Sequence, residues 1–235
     1  MPGLRIENYW FVRHLACYRW VSGQLTSRSD PGPILDAGAG EGYGAQGLAD
    51  ACGRSVVAVE LDKATAAHIS ARYPAVRAVQ ANLVALPFAD ATFEAAASLQ
   101  VVEHIWDPRT YLRELARCTR GPIILSTPNR PVHSPSLPPE GDPENPFHVR
   151  EFDDRELAEL LRDAAPRRSV RTLGLHHGPR IREWEAQHGS LPRTLINTND
   201  DDTLARALDF AATLDAGDFV IESDTATAHD LVAVW

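Results

Sequence analysis

Two rhythms of apolar residues alternate along this chain. Short apolar runs at Pro33 to Ala37, Ser55 to Glu60, Val76 to Gln80, Phe93 to Leu99 and Ile123 to Leu125 have the length of strands buried inside a sheet. Between them, the segment after Gly44, Asp62 to Tyr73 and Pro108 to Cys118 carry helical patterns, with Asp62 placed as an N-cap. Strand and helix in alternation predict an open parallel α/β sheet, whose ligands belong beyond the carboxyl ends of the strands. Ahead of the sheet, Ile6, Trp10, Phe11, His14, Leu15, Tyr18 and Val21 lie at helical spacing, which predicts a helical cap within residues 1–30. Behind it, eight of the 17 prolines fall between Pro122 and Pro146, and residues 128–152 read as a stiff lid. A helix from Asp153 to Ala164, a sixth strand from Ser169 to Leu175, and a helical insertion over 177–217 in two pieces follow. A weak strand at Phe219 to Glu222 and a final strand from His229 to Trp235, antiparallel beside the sixth, complete what is expected to be one domain over residues 1–235.

The stretch PILDAGAGEGYG joins the first strand to the first sheet helix. Glycine lets the backbone turn sharply and approach a ligand, and a helix start offers free N–H groups. A dinucleotide loop of the form G-x-G-x-x-G/A would put Tyr43 at its last small position, so that register fails from Gly38. Counting from Gly40 restores it with Gly42 and Ala45, but farther from the strand. The better fit is acid-x-Gly-x-Gly-x-Gly over Asp36, Gly38, Gly40 and Gly42, with Ala39 between the first glycines. An acid at this strand end repels a pyrophosphate and suits a cofactor that carries an ammonium and a sulfonium, which describes S-adenosylmethionine. Glu60, eighteen positions beyond Gly42, is placed to accept the two ribose hydroxyls, with Leu61 beside it. Asn82 and Leu83, after the third strand, are placed to meet an adenine.

Charge and cysteine content narrow the function classes. Lys+Arg 23 against Asp+Glu 32 leaves a net charge of −9 without a basic run, which disfavours a nucleic-acid substrate. Cys17, Cys52 and Cys118 form no CxxC pair and read as small core residues in a reducing, cytoplasmic setting. The first residues lack a continuous apolar segment, so neither a leader nor a membrane span is expected.

ILDAGAGEGYG, VVAVELD, ANLVALPF and SLQVVEHIWDP, in this order, resemble the class I S-adenosylmethionine-dependent methyltransferases. The resemblance implies a Rossmann-like, seven-stranded, mostly parallel sheet with the last strand antiparallel and helices on both faces. It also implies cofactor contacts at Asp36, Gly38, Ala39, Gly40, Gly42, Glu60, Leu61, Asn82, Leu83 and Gln100. The flanking segments IENYWFVRH, NPFHVREF, LHHGPR and HDLVAVW resemble the actinobacterial sugar O-methyltransferases of methylated polysaccharides, of the methylmannose polysaccharide 1-O-methyltransferase type. An acceptor that is a sugar, an oligosaccharide or a glycosylated small molecule follows from it.

Transfer to a hydroxyl benefits from a base, and histidine is the natural one. His104, just past the fourth strand, ranks first among the nine histidines, His148 in the lid second and His176 third. Tyr9, Trp10, Trp106, Asn129, Arg150 and His176 are the candidate acceptor contacts. Glu103 and His104 are also similar to the Glu-x-x-Glu-His segment with which ubiquinone-type O-methyltransferases hold a divalent ion, with Gln100 replacing the first Glu, which implies a Mg2+ site. A non-sugar O-methyltransferase of secondary metabolism, a nicotinamide-dependent oxidoreductase and a cofactor binder without catalysis are the rival readings. Monomer and homodimer serve this chemistry equally.

Overall fold

A computed structural model describes residues 7–27, 32–135 and 141–235. The expected cap and lid also cover residues 1–6, 28–30 and 136–140, which lie outside the described residues. The chain runs α1 (Asn8–Thr26), β1 (Ile34–Ala37), α2 (Tyr43–Cys52), β2 (Val56–Glu60), α3 (Lys63–Arg72), β3 (Val76–Gln80), β4 (Ala95–Leu99), α4 (Pro108–Cys118) and β5 (Ile123–Pro128). It continues through α5 (Arg130–His133), α6 (Asp154–Ala164), β6 (Arg171–His177), α7 (Pro179–His188), α8 (Leu191–Asn197), α9 (Asp201–Ala211), β7 (Phe219–Glu222) and β8 (Asp230–Val234).

Local signals in the sequence set many of these boundaries. Asp62 accepts from the Thr65 N–H at 2.7 Å and starts α3 as an N-cap. Asp107 and Asp153 start α4 and α6 in the same way, and Glu156 completes a capping box with Asp153. The polar NTNDDD segment ends one helix and starts another, because the Asp200 carboxylate caps the first turn of α9. The expected two-piece insertion is three helices, because its first piece also breaks at Gly189, the C-cap of α7 at φ +83°, and His176 and His177 close β6 instead of following it.

The sheet order is β3-β2-β1-β4-β5-β8-β6-β7. β1 to β5 pair in parallel, β8 runs antiparallel between β5 and β6, and β7 pairs antiparallel with β6. The sheet has eight strands where the resemblance implies seven. The extra one is the weakly patterned Phe219–Glu222 segment, which needs only one partner because it forms the edge. One core packs α1, α2 and α7 to α9 against one face, and a second packs α4 and α6 against the other. Cys17 and Cys118 are buried in these cores, and Cys52 is partly buried. Among the described residues no helix is long and apolar enough to cross a membrane.

Strand order reverses between β1 and β4, because β1 leads to β2 on one side and β4 leads to β5 on the other. That reversal opens a crevice beyond the carboxyl ends of β1 and β4, and α1 lies across it. α1 is held there by Val12, Ala16, Tyr18 and Val21, all buried against the sheet and α2. A Cβ on Gly44 would come within 2.1 Å of the Tyr18 ring, so α1 and α2 meet only because residue 44 has no side chain. Gly44→Ala is expected to destabilise the fold by about 1–3 kcal/mol through overpacking. A thermal melt lowered by roughly 2–12 °C checks this.

Candidate active site

The crevice contains a cavity of about 460 Å³. Gly38, Ala39, Gly40 and Glu41 form one wall, Leu99, Gln100 and Ser126 the sheet side, and Trp10, Phe11, Arg13 and His14 of α1 the roof. Gly40 has φ +52° and a Cβ there would meet nothing within 4 Å, so the loop leaves open space on the cavity. Gly38 also has positive φ, +82°, and its missing side chain makes room for Val101. Gly42, at φ +86°, is the N-cap of α2 and does not line the cavity.

Glu60 lies against this loop: Gly40 N–H donates to its Oε2 at 3.0 Å, and Leu61 N–H to its Oε1 at 2.8 Å. The carboxylate thus stands at the tip of β2 beside the glycines. Leu61 is 63% exposed next to it, and Leu83 is buried. Asn82 Oδ1 is engaged by the Val84 N–H at 3.1 Å, so it shapes its own turn.

Asp36 departs from expectation. Its carboxylate is fully buried under α1, accepts the Tyr18 hydroxyl at 3.1 and 3.2 Å, and is absent from the cavity wall. Burial pushes its pKa up to about 7, with the Tyr18 hydrogen bond working against the rise. Asp36 therefore anchors α1 to the end of β1 and does not present an open anion to the cavity.

Gln100 sits at the end of β4 with φ +57°, a backbone region costly for a residue with a side chain. Its main-chain N–H donates to Ser126 O at 2.9 Å and its amide to Ser126 Oγ at 3.2 Å, which hold it facing the cavity. Just beyond, Glu103 is buried with Oε2 accepting from the Thr127 hydroxyl at 3.0 Å and with no partner on Oε1. Burial raises the Glu103 carboxyl to about 8. The main-chain oxygen of Glu103 accepts from Val149 N–H at 2.7 Å and pins the returning lid.

His104 lies on the lid side of this turn, outside the cavity wall, with Nδ1 donating to Phe147 O at 2.8 Å. Burial lowers its pKa, with the Phe147 carbonyl opposing and His148 adding to the shift. His148 packs edge-on against it, ring centroids 5.0 Å apart, and both of its nitrogens are engaged, by Glu151 at 2.7 Å and Asn145 at 2.9 Å.

Several acceptor candidates are structural instead. Tyr9 is fully buried and its hydroxyl pairs with His177 Nε2 at 2.7 Å, because the helical phase of α1 turns it into the core. Asn129 is buried, and its amide donates to Thr225 O and Ala228 O at 2.9 and 2.8 Å. His176 Nε2 donates to Asp224 O at 2.9 Å, away from the cavity. Arg150 pairs with Glu156 at 3.2 Å and lies over the Phe152 ring. Trp10 lines the cavity as expected, and Trp106, two residues past His104, is 87% exposed.

The pattern of the sequence left Arg13, His14, Tyr43 and Asp230 unassigned, and all four line the cavity. Arg13 and Asp230 form a buried ion pair at 2.7 Å. Burial works against the Arg13 charge, but the Asp230 carboxylate outweighs it and holds the guanidinium above its ordinary pKa. His14 pairs through Nδ1 with the Tyr43 hydroxyl at 2.6 Å, and burial lowers it to about 4. An acid opening the otherwise apolar strand DLVAV was the one available signal for Asp230.

A glycine loop at a strand-order reversal, with a carboxylate at the tip of the next strand, defines a Rossmann-like nucleotide-cofactor fold. Residues 35–122 match a family model described as a methyltransferase domain. A Mycobacterium tuberculosis protein named "Probable S-adenosylmethionine-dependent methyltransferase" is 44% identical over 191 residues, 80% of this chain and 66% of that protein. A Mycolicibacterium smegmatis protein of similar name is 42% identical over 80% of this chain and 71% of its own. This chain belongs to the S-adenosylmethionine-dependent methyltransferases. It spans 66% of the length of the M. tuberculosis relative. In fold it is similar to a chain of the structure described as "Complex between the Haloferax volcanii Trm112 methyltransferase activator and the putative methyltransferase", with a TM-score of 0.62, 16% identity, and 94% and 89% of the two chains covered. The nicotinamide reading is thereby replaced.

Proposed function

We propose that this chain is an O-methyltransferase that moves a methyl group from S-adenosylmethionine to a hydroxyl of a sugar, oligosaccharide or glycosylated small molecule. The observation that carries the proposal is the cavity itself, with the Gly38 to Gly40 loop on one wall and Trp10, Gln100 and Ser126 on the others. The residues fit the cofactor: Gly40 leaves a cradle that a side chain would fill, Glu60 offers carboxylate oxygens for a diol, and Leu61 and Leu83 offer apolar surface. When bound, S-adenosylmethionine supplies a methyl carbon made electrophilic by its sulfonium.

The chain's own groups position the acceptor and take its proton. His14 and Asp230 face the cavity but neither is free to act as the base: burial lowers His14 to about 4, and the Asp230 carboxylate, which burial pushes up and Arg13 pulls back down, is engaged by the Arg13 guanidinium at 2.7 Å. His104 keeps the better credentials. Its Nδ1–H is committed to Phe147 O, which leaves the Nε2 lone pair as the acceptor, and its lowered pKa keeps it neutral at pH 7. Trp10 in the cavity and Trp106 beside His104 are the aromatics on which a sugar ring can stack.

A magnesium site does not fit. Glu103, His104 and His148 bring one potential ligand atom each within 4.8 Å of one another. One carboxylate and two imidazoles suit a borderline transition ion rather than the oxygen shell of magnesium, and both His148 nitrogens are already engaged.

Labelled-methyl transfer to a panel of methyl hexopyranosides and manno-oligosaccharides, with phenols and amines as controls, tests the function. Turnover on the sugars is expected, and turnover confined to phenols or amines would overturn the acceptor assignment. In the same assay a chelator is expected to leave the rate within about twofold, since a metal-assisted step would instead lose the roughly 10²-fold or more that such assistance brings.

A further inference from the structure

Trp10 and Arg13 line a second cavity as well as the first. It has a volume of about 440 Å³ and lies between α1, the lid and α8. None of the residues assigned to the methyl donor faces it: Glu60, Leu61, Asn82, Leu83 and the glycine loop are all absent from its wall. The residues assigned to the donor therefore leave this space free, and the Trp10 indole is common to both walls.

Its wall has a definite electrostatic character. The cationic Arg13 is matched by Asp230 at 2.7 Å, and the Glu151 carboxylate is held by His148 and by the Ser134 hydroxyl, both at 2.7 Å. That leaves Arg193 on α8 and Glu144 on the lid, one charge of each sign. A phosphate or carboxylate would need a cluster of unmatched cations, which the wall lacks. His133 and His229 also face the space, and burial lowers them to about 3 and about 2, so both imidazoles are neutral hydrogen-bonding groups. Ser190 and Asn197 add further neutral polar groups. A flat aromatic in the wall with neutral donors and acceptors around it matches an uncharged ring that carries hydroxyls.

We propose that the cavity between α1, the lid and α8 is a second acceptor subsite that takes the uncharged, hydroxyl-bearing ring next to the one methylated. The inference rests on the methyl-transfer reading above and deepens it: the favoured acceptor has at least two rings. Binding energy from the remote ring then raises turnover of extended acceptors over single-ring ones.

The test compares hexose methyl glycosides with the matching disaccharides. Rates are read with labelled S-adenosylmethionine, and binding is read by calorimetry on the full chain saturated with S-adenosylhomocysteine. Disaccharides are expected to exceed single-ring acceptors in kcat/KM by about tenfold or more. Asn197→Trp places an indole in the subsite from an exposed position on α8. It is expected to erase that preference to within about twofold, with single-ring turnover and S-adenosylhomocysteine affinity unchanged. Arg193→Ala, also exposed, is expected to weaken disaccharide binding by about threefold and nothing else. A wild type indifferent to acceptor length overturns the subsite and leaves methyl transfer standing. So do variants that lower single-ring and extended acceptors equally. Disaccharide binding that Asn197→Trp abolishes, without any methyl transfer in the wild type, supports the subsite and overturns the proposed function. No binding and no transfer overturn both.

Discussion

Replacing His104 with alanine is expected to lower kcat by about 10²–10⁴-fold, the range that a positioned base contributes, while S-adenosylhomocysteine binding by calorimetry stays within a few-fold. The split follows from the proposed function, in which His104 is not part of the cavity wall assigned to the donor; its links are to Phe147 in the lid and to His148. His104→Asn, which can still donate to Phe147 O, should be as slow as the alanine variant if proton transfer is the role. It should recover most activity if His104 only orders the lid. The pH profile carries the sign. Burial depresses the pKa of His104, so the competent neutral form persists to lower pH than for an ordinary histidine. The wild-type rate should rise as pH increases through a value below the ordinary 6.5 and be flat above it, and the limb should vanish in both variants. An acid limb that persists in His104→Ala would assign the base elsewhere.

The largest stability effect is expected at Asp230. Asp230→Ala leaves the Arg13 guanidinium buried with its carboxylate partner gone, a change that costs about 3–5 kcal/mol. For a chain of this length the melting temperature should fall by roughly 6–20 °C. The double variant Arg13→Met with Asp230→Leu removes the charge together with its partner and is expected to recover most of that stability. It should not recover activity, because both residues line the cavity at the switch point and Arg13 also lines the second one. A double variant as unstable as the single would show that the pair acts through packing or through the Arg13 contact with His133 at 3.5 Å, not through compensation of charge.

Which features could be read ahead of the structure follows from their range along the chain. The glycine loop, the carboxylate at Glu60 and the cap at Asp62 depend on neighbours a few residues away, and each stands where its local pattern indicates; the caps at Asp107 and Asp153 are of the same local kind. Tyr9 shows the limit. A tyrosine ahead of an apolar stripe can point to ligand or to core, and the choice is made by His177, 168 residues later, which receives its hydroxyl. Asn129 was claimed by the carbonyls of Thr225 and Ala228, and Asp36 by Tyr18, in the same long-range manner.

The sequence by itself determined the alternation of strands and helices, the parallel α/β class and the glycine loop at the end of the first strand, because period, glycine spacing and capping are local properties of the backbone. Only the tertiary structure decided which side chains face that crevice. Arg13 and Asp230 lie 217 residues apart and become one buried pair only when β8 inserts between β5 and β6 beneath α1. Burial then sets their chemistry, and no local pattern records it.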